Sequence, residues 1–246
     1  MASEVFVSGG TGLIGSEIVD QLMRDGFDVI TTTTTKKKAG DFVKHSRKLR
    51  VERIDFTNSD FADRLKNIFS NNKALVAIIN NARSLKFFET NDQGLCQPDD
   101  LMNEFNLDVV IPYKISLMAV ELVPNLETII NISSQYASRV PNPNLYNSNS
   151  EMSPIQYNVS KAALNKITKE LAVRLGERKI RVNCIEFGGV KGRAPNDFVN
   201  RYNSKAPHSR MLEASECYGP IKMLLDKNNS AINGAVIEAN AGWTLC

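Results

Sequence analysis

The chain has 246 residues, a hydrophobic content of 42% and a net charge of +3 at neutral pH. This length supports one large hydrophobic core, so we expect a single domain over residues 1–246. The charge is mild and no run of Lys and Arg alternates with aromatics, which argues against a nucleic-acid partner. No segment approaches the roughly 20 apolar residues of a membrane span, and none has the form of a signal peptide.

Seven segments have the apolar or β-branched character of strands, and they recur along the whole chain. In chain order they are Glu4–Ser8, Asp28–Thr33, Leu49–Asp55, Leu75–Asn80, Glu127–Ser133, Lys179–Phe187 and Ala235–Glu238. Leu75–Asn80 has no polar alternation, so we expect it to be buried on both faces.

Helical patterns lie between these strands. Ile14, Ile18 and Leu22 have the spacing of one helical face after the first strand, and Gly26 ends that helix. A long helix is predicted over about 99–123, and Pro154 is suited to the first turn of another. Repeated strand-helix-strand units predict an α/β fold: a doubly wound, mostly parallel seven-stranded sheet with helices on both faces. This is the Rossmann architecture.

Four cysteines are scattered along the chain without a Cys-x-x-Cys pair: Cys96, Cys184, Cys217 and Cys246. The two histidines, His45 and His208, are the only imidazole side chains that could join them. We therefore expect neither a metal site nor a disulfide framework, and a reducing, cytoplasmic setting.

A glycine-rich turn, Ser8–Gly15, follows the first strand and opens the first helix. Gly9 permits a tight turn, Gly12 lets the backbone approach a pyrophosphate, and Gly15 allows close packing of helix on strand. The helix N-terminus then offers free N–H groups and a positive dipole end. Since strand precedes and helix follows, the turn predicts a dinucleotide site.

The residues after the second strand bear on which dinucleotide binds. An acid about 20 residues beyond the glycines normally binds the ribose 2′-hydroxyl of NAD, whereas a basic residue accommodates the 2′-phosphate of NADP. Here this region contains Thr33, Thr34 and Lys36, with no acid. We therefore favour NADP over NAD; a polar loop without selectivity is the alternative.

The pattern Tyr-x-x-x-Lys occurs twice, at Tyr157/Lys161 and at Tyr218/Lys222. A spacing of four places both side chains on one helical face in either case, so the spacing alone does not separate them. The second pair contains a Gly-Pro dipeptide, which breaks or starts a helix between its members. We therefore assign chemistry to the first pair.

Ser134 follows the fifth predicted strand, and the helix that carries Tyr157 comes next. Ligands of open α/β sheets bind at the carboxyl ends of the strands. We therefore predict that Ser134 and Tyr157 meet at one site, where the phenol transfers a proton.

In their order, these motifs resemble the short-chain dehydrogenase/reductase family over nearly the full length. The matching positions are Ser8–Gly15, Asp55, Phe56, Asn80–Arg83, Asn106, Ser134, Tyr157, Lys161, Arg181–Asn183, Gly234 and Gly242–Thr244. The resemblance implies that Asn106, Ser134, Tyr157 and Lys161 are catalytic. Together with the glycine turn, it implies these cofactor-binding residues: Gly9, Thr11, Gly12, Leu13, Ile14, Gly15, Thr33, Thr34, Lys36, Asp55, Phe56, Asn81, Ala82, Tyr157, Lys161, Gly188 and Val190.

The resemblance also implies a separate role for each of the four catalytic residues. Tyr157 would exchange its phenolic proton with a carbonyl or alcohol oxygen while hydride passes to or from the nicotinamide. The Lys161 ammonium would favour the phenolate, and Ser134 would orient the substrate oxygen. Asn106 would support a water-linked proton path from Lys161.

Some residues depart from the family pattern. Arg83 replaces the last glycine of the turn after the fourth strand, and Phe187 replaces a proline after the sixth. A threonine expected within 189–192 is absent. These departures leave a non-catalytic dinucleotide-binding scaffold or sensor as an alternative.

Two segments bear on the substrate. The separation of Ser134 and Tyr157 is about ten residues longer than the family's usual spacing, and the polar insertion at 141–150 is predicted to line a hydrophilic pocket. The substrate lid implied at about 190–213 is rich in cations: Lys191, Arg193, Arg201, Lys205, His208 and Arg210. Such a lid favours an anionic substrate, although a solvated surface explains the charges equally well.

The segments 133–136 and 153–157, with the insertion between them, resemble reductases found with bacterial flagellin-glycosylation and surface-polysaccharide pathways. Our hypothesis is an NADP-dependent oxidoreductase acting on a polar, anionic, sugar-like substrate. A general carbonyl or 3-oxoacyl reductase is the alternative enzyme. The resemblance also implies a homodimer or homotetramer.

Overall fold

The computed structural model describes residues 3–34, 48–70, 72–192 and 194–245. Its strands form one seven-stranded sheet of order β3-β2-β1-β4-β5-β6-β7, and every neighbouring pair is parallel. The strands are β1 (Glu4–Val7), β2 (Asp28–Thr33), β3 (Leu49–Arg53), β4 (Leu75–Asn80), β5 (Thr128–Ser134), β6 (Arg181–Phe187) and β7 (Val236–Ala239). The predicted fold class is confirmed.

The strand predictions for β2 and β4 match the structure, and the others differ by one or two residues at an end. β6 begins at Arg181 rather than Lys179, because Lys179 has a left-handed backbone with φ of 57°. β3 ends at Arg53 because Asp55 starts a turn in which its side chain accepts the Thr57 N–H at 2.9 Å.

Seven helices of eight residues or more lie in the described part of the chain. They are α1 (Leu13–Arg24), α2 (Phe61–Phe69), α3 (Pro98–Phe105), α4 (Ile111–Leu122), α5 (Ile155–Arg174), α6 (Asn196–Lys205) and α7 (Tyr218–Leu225). α2 and α6 were not predicted. None of the helices in these described ranges is long and apolar enough to cross a membrane.

The long helix predicted over 99–123 is interrupted by a π-helical segment, Asn106–Val110, between α3 and α4. The cause lies in Pro112, which has no N–H to donate to the carbonyl of Asp108 and whose ring crowds that carbonyl. The backbone widens instead, and the Ile111 N–H bonds to the carbonyl of Asn106, five residues back. This local change alters which side chains face the neighbouring helix α5.

Apolar clusters cover both faces of the sheet. On one face α2, α4 and the end of α5 pack around Phe6, Ile78 and Ile129. On the other face α1 and α7 pack around Val7, Ile79 and other strand residues. The strand order reverses direction between β1 and β4, so the crevice at their carboxyl ends is the place where an open α/β sheet binds its ligands.

Candidate active site

The glycine turn lies at this crevice and its shape depends on the absence of side chains. Gly9 has φ of +71°, and a Cβ there would lie 2.7 Å from the Cα of Ala82. A Cβ on Gly15 would collide with the Gly9 carbonyl oxygen. A Cβ on Gly12, by contrast, would make only an ordinary 3.5 Å contact with the Gly9 carbonyl oxygen, and Gly12 caps α1 without any side-chain hydrogen bond. The first N–H groups of α1, beginning at Leu13 and Ile14, are therefore available to an anion.

Threonine hydroxyls of β2 hold this turn against the sheet. The Thr32 hydroxyl accepts the Gly9 N–H, and the Thr31 hydroxyl accepts the Gly10 N–H, both at 2.9 Å. The Thr11 hydroxyl donates to that of Thr33 at 3.0 Å. Thr33 is buried and thus supports the turn, which leaves exposed Thr34 at the rim. Lys36, predicted to bind the cofactor, lies outside the described residues.

The turn after β4 is joined to the glycine turn. The Asn81 side-chain amide donates to the carbonyls of Ser8 and Gly9 at 3.1 and 3.2 Å. The Ser8 hydroxyl accepts the N–H groups of Asn81 and Ala82, each at 2.9 Å. The structure thus brings the predicted residues of these two segments together, and it adds Ser8 as the hydroxyl that connects them.

The remaining cofactor predictions fall on the rim of the same crevice. Asp55 is half-buried after β3 and Phe56 is buried against Phe61. On the other side of the crevice, Gly188 continues β6 by donating its N–H to the carbonyl of Ala239. Val190 pairs with the segment that returns from the predicted lid.

Ser134 ends β5, and α5 packs against this strand with Tyr157 and Lys161 on its inner side. Tyr157 is 9% exposed and Lys161 is 6% exposed. The Lys161 ammonium donates to the carbonyl of Ile132 at 3.1 Å and lies 5.6 Å from the centre of the Tyr157 ring. The predicted serine, tyrosine and lysine therefore occupy one end of the sheet, where β5 meets α5.

The structure corrects the prediction for Asn106. Its side chain is exposed and its carbonyl is occupied by the Ile111 N–H of the π-helical segment. Asp108, two residues later, is fully buried, and its Oδ2 lies 3.2 Å from Lys161 Nζ. Burial lowers the pKa of Lys161, but the Asp108 carboxylate offsets this and raises it above the usual value. Asp108 therefore takes the place beside Lys161 that was assigned to Asn106.

Comparison with known families agrees with this arrangement. The family model described as "Enoyl-(Acyl carrier protein) reductase" matches residues 11–244, which include the glycine turn, Ser134, Tyr157 and Lys161. This chain belongs to the short-chain dehydrogenase/reductase family. The family consists of oxidoreductases, which agrees with a site built from a dinucleotide turn and a buried tyrosine–lysine pair.

Two curated relatives extend the comparison. "Post-translational flagellin modification protein A" of Campylobacter coli is 30% identical over 117 residues, which is 48% of this chain and 46% of that protein. This chain thus aligns with less than half of that relative's length. The 3-oxoacyl-[acyl-carrier-protein] reductase FabG of Buchnera aphidicola (strain APS) is 24% identical over 96% of this chain and 95% of its own.

Two solved structures share the fold. A short-chain dehydrogenase from Leptospira borgpetersenii with bound NAD+ has a TM-score of 0.86 at 24% identity, covering 99% of this chain and 93% of its own. ElxO with NADP bound has a TM-score of 0.82 at 19% identity, covering all of both chains. At these identities the likeness supports the fold of this family member, a Rossmann-type sheet.

Arg83, which replaces a glycine of the family pattern, lies over the candidate catalytic tyrosine. Its guanidinium carbon is 4.3 Å from the centre of the Tyr157 ring and 4.5 Å from that of Phe88. The side chain is exposed, and it forms no ion pair with any residue that the structure describes. Sequence reasoning noted the departure without giving Arg83 a function; the two aromatic rings now place a free cation at the reacting group.

Glu104 is a second buried carboxyl near Lys161 that sequence reasoning missed. It is fully buried one helical turn before Asp108, and neither of its oxygens has a hydrogen-bond partner in the described structure. Burial, and then the neighbouring Asp108 charge, raise the pKa of Glu104 from the usual 4.5 to about 8. The folded protein therefore keeps Glu104 protonated at neutral pH.

This shift predicts how stability depends on pH. Below about pH 4.5 Glu104 is protonated in both the folded and the unfolded chain, whereas between 4.5 and about 8 only the unfolded chain loses the proton. The wild type therefore loses stability as the pH rises through this window, by up to about 5 kcal/mol. Glu104→Gln removes the effect, so its melting temperature relative to wild type should rise with pH.

The control for this measurement is Glu121→Gln, since Glu121 lies on α4 but is exposed. Its melting temperature should follow that of the wild type at every pH. A difference between Glu104→Gln and wild type that stays constant with pH would show that Glu104 keeps an ordinary titration.

The second Tyr-x-x-x-Lys pair is structural. Tyr218 donates its hydroxyl to Asp25 Oδ2 at 2.7 Å, and the Lys222 ammonium lies 2.7 Å from the same oxygen. These contacts join α7 to the end of α1, on the opposite side of the sheet from α5. α7 begins at Tyr218 and contains Gly219 and Pro220, so the Gly-Pro dipeptide does not separate Tyr218 from Lys222 as expected. The assignment of chemistry to the first pair stays a prediction.

The predicted lid contains α6, and its cations are largely paired with acids. Arg201 lies 3.0 Å from Asp197, Lys191 lies 3.3 Å from Glu213, and Arg210 lies 2.6 Å from Glu216. Arg193 is outside the described residues, and Lys205 and His208 are exposed. The solvated-surface explanation therefore fits the three paired cations better than anion binding.

The polar insertion packs on this lid instead of simply lining a pocket. Leu145 is fully buried in a small apolar cluster with Tyr202, and the Tyr146 ring contacts that of Phe198 at a tilt, with ring centres 5.2 Å apart. Arg201 donates to the Leu145 carbonyl at 2.7 Å. The insertion and α6 thus form one wall beside the candidate active site.

Two further tyrosines missed by sequence reasoning stand in this wall. The hydroxyls of Tyr136 and Tyr146 are 2.8 Å apart. Burial, and then the neighbouring Tyr146, raise the pKa of Tyr136, which also interacts electrostatically with Tyr157. Both phenols therefore remain neutral and can offer hydroxyl groups to a polar ligand.

The described cysteines are free thiols without a metal site. Burial raises the pKa of both Cys184 and Cys217 to about 12, so neither is a reactive thiolate, and Cys96 is also unpaired. Cys246 and His45 lie outside the described residues. Within the described ranges no three His, Cys, Asp or Glu side chains are grouped as metal ligands.

Proposed function

We propose that this protein is a nicotinamide-dependent oxidoreductase that interconverts a carbonyl and an alcohol, with Tyr157 as the acid or base. The observation that carries the proposal is the buried Tyr157–Lys161 pair on α5, set beside Ser134 at the carboxyl end of β5. A buried phenol beside a lysine ammonium can pass its proton to a neighbouring oxygen and take one back.

The glycine turn fits a dinucleotide, because it presents backbone without side chains and the first turn of α1 has no side-chain cap. When bound, the nicotinamide supplies or accepts the hydride. This chain's own residues would do the rest: the N-terminus of α1 holds the pyrophosphate, Lys161 keeps a positive charge near the reacting oxygen, and Ser134 donates a hydrogen bond to that oxygen. Tyr157 moves the proton.

We favour NADP over NAD. In the described part of the β2 end there is no acid, and Arg53 of β3 donates its guanidinium N–H to the Thr34 carbonyl at 3.4 Å. This places a cation beside the exposed Thr34, where a 2′-phosphate can be bound. ElxO, which has this fold, was solved with NADP, and the Leptospira enzyme with NAD+.

Arg53→Gln is expected to weaken NADPH binding by about tenfold, because it removes one charge-assisted contact with the 2′-phosphate. NADH binding should not change. Calorimetric titration of both cofactors measures this, with Arg50→Gln as the control, because Arg50 is already paired with Glu52. An equal loss for both cofactors would contradict a specific role for Arg53.

We propose that the substrate is polar, anionic and sugar-like. The free guanidinium of Arg83 lies over the Tyr157 ring, so a carboxylate or phosphate close to the reacting carbon would meet it. The Tyr136 and Tyr146 hydroxyls offer further hydrogen bonds to a polyol. The partial similarity to a flagellin modification protein supports a substrate of this kind.

Arg83→Gln is expected to raise the KM of a keto-sugar acid by about tenfold while leaving that of the matched neutral keto sugar within about twofold. Lys86→Gln is the control, since Lys86 is an exposed cation on the same loop and lies over Phe87 rather than Tyr157. Equal effects on both sugars would remove Arg83 from substrate recognition.

The function is tested by NADPH binding and by NADPH oxidation with a panel of carbonyl compounds. The panel contains a keto-sugar acid, its neutral analogue, 2,3-butanedione and an acetoacetyl thioester. The thioester represents the second candidate, a 3-oxoacyl reductase, which the full-length similarity to the Buchnera enzyme favours. Cofactor binding without turnover of any compound would favour a scaffold or sensor, and absence of binding would overturn the proposal.

We further propose a homodimer or homotetramer working in the cytoplasm. Two apolar side chains on helices are exposed to solvent: Leu117 of α4 is 41% exposed and Val159 of α5 is 48% exposed. Helices α4 and α5 therefore offer an apolar surface to a second copy. Light scattering coupled to size exclusion measures the assembly; a mass of one chain at micromolar concentration would contradict it.

A further inference from the structure

Lys161 is poorly placed to exchange a proton with water. Its side chain is 8% exposed, and its ammonium is held by the Ile132 carbonyl and the Asp108 carboxylate. Arg83 is closer to the Tyr157 ring, but a guanidinium does not give up its proton. Lys161 is therefore the cation that can refill the phenol, and it needs a proton donor inside the protein for as long as bound cofactor and substrate keep water from the site.

Asp108 is the titratable group in contact with Lys161, and Glu104 lies behind it on the same helical stretch. Both carboxyl groups are fully buried. Apart from the ion pair with Lys161, their four oxygens have no hydrogen-bond partner among the described residues. Two adjacent carboxyl groups in such surroundings cannot both ionise at low cost, so one of them holds a proton.

The charged groups around this pair come from three other elements. Lys161 faces it from α5 and Arg83 acts on it from the turn after β4, while Tyr157 of α5 and Cys184 of β6 interact with Lys161. Asp108 pairs with Lys161, which leaves Glu104 as the member that carries the proton. Two cations, Lys161 and Arg83, and two carboxyl groups thus form one cluster, in which a single carboxyl proton is held on Glu104.

We propose that Glu104 is a proton store that acts through Asp108 to recharge Lys161 during each reduction. This proposal rests on the proposed oxidoreductase function. Glu104 is a positioning residue in this scheme, because it does not touch the substrate.

During one reduction the proton moves only among these groups, and water replaces it afterwards. The O–H bond of Tyr157 breaks as its proton passes to the former carbonyl oxygen, and an N–H proton of Lys161 restores the phenol. The proton of Glu104 then passes through the Asp108 carboxylate to the Lys161 amine, which leaves two carboxylates beside the ammonium. After the product leaves, Lys161, the most exposed member of the three, takes one proton from water and returns it through Asp108 to Glu104.

The test compares wild type with Glu104→Gln, measuring kcat for the fastest compound of the carbonyl panel under saturating NADPH. Glutamine keeps the size of the side chain but has no acidic proton. The variant should be slower by about tenfold below the Glu104 titration, and the two rates should converge well above about pH 8, where wild-type Glu104 is itself ionised. NADPH affinity should stay unchanged.

Glu121→Gln, on exposed α4 surface, is the matched control and should follow the wild type throughout. A rate ratio between wild type and Glu104→Gln that is constant with pH would show a structural effect and overturn the proposal. Wild-type activity in Glu104→Gln at all pH values would overturn it as well.

A second measurement separates this proposal from the proposed function. Infrared difference spectra between neutral and alkaline pH should show the carbonyl band of a protonated carboxylic acid in the wild type and not in Glu104→Gln. Absence of that band in the wild type would overturn the proposal that Glu104 stores a proton, even if the enzyme is active. If the wild type turns over no carbonyl compound, the proposed function is overturned, and the recharging of Lys161 with it. The infrared band would still show whether Glu104 holds a proton.

Discussion

Tyr157→Phe is expected to lower kcat for carbonyl reduction by about 10²- to 10⁴-fold, the usual contribution of a positioned acid or base. Phenylalanine keeps the ring that contacts Phe88 and Arg83, so the packing of α5 and the NADPH affinity should be retained. Only the hydroxyl, and with it the proton, is removed. Steady-state rates and calorimetric cofactor binding on the same samples provide the measurement.

The chain contains its own control in the second Tyr-x-x-x-Lys pair. Tyr218→Phe removes a hydroxyl that binds Asp25, far from the site, so it should cost about 1 kcal/mol of stability and leave kcat unchanged. Equal turnover of Tyr157→Phe and wild type would remove Tyr157 from the mechanism. Equal losses in the two variants would show a general effect of losing a buried phenol.

Lys161→Met is expected to lose both turnover and about 3–5 kcal/mol of stability, because it leaves the buried Asp108 carboxylate without its cation. Urea denaturation measures the loss. Lys166→Met is the matched control on the same helix: its ammonium pairs with Glu170 but is 73% exposed, so the change should stay within about 0.5 kcal/mol.

A double variant separates the stabilising function of Lys161 from its chemical one. Adding Asp108→Asn to Lys161→Met removes the uncompensated charge and should recover most of the lost stability, whereas turnover should remain absent. If the double variant is as unstable as Lys161→Met alone, the Asp108–Lys161 ion pair is not the source of the loss.

The sequence predicted the sheet, and it brought forward the residues now proposed for the site, because each depends on a local pattern. β2 and β4 are continuous apolar or β-branched runs, and their bounds agree with the structure. Gly9 and Gly15 are confined to glycine by a positive φ or by a close approach of the backbone, whereas a Cβ on Gly12 would make only an ordinary contact. Tyr157 and Lys161 face the same side because a spacing of four is close to one helical turn.

The error at Asn106 has a local physical cause. A regular helix advances about 100° per residue, so a π-helical turn inserted before Pro112 rotates the preceding residues relative to α4. That rotation turns Asn106 outward and Asp108 toward Lys161. Pro112 was the available signal, since a proline inside a predicted helix forces such an adjustment.

Contacts that form only in the folded chain explain the other differences. The lid cations predicted anion binding as isolated charges, but Glu213, Asp197 and Glu216 pair with three of them in the folded chain. Arg83 could not be placed from the sequence, because its position depends on Phe88 and Tyr157, which are distant from one another in sequence. Burial of Glu104 likewise depends on packing of α3 against α5.

Hydride transfer itself is measured most directly with NADPH that carries deuterium at C4 of the nicotinamide. Wild type is incubated with this cofactor and the carbonyl panel, and the products are examined by mass spectrometry, with Tyr157→Phe in parallel. We expect an alcohol product one mass unit heavier from the wild type and almost none from the variant. Bound cofactor with no deuterated product from any carbonyl, or equal product from both proteins, would contradict a hydride-transfer site at Tyr157.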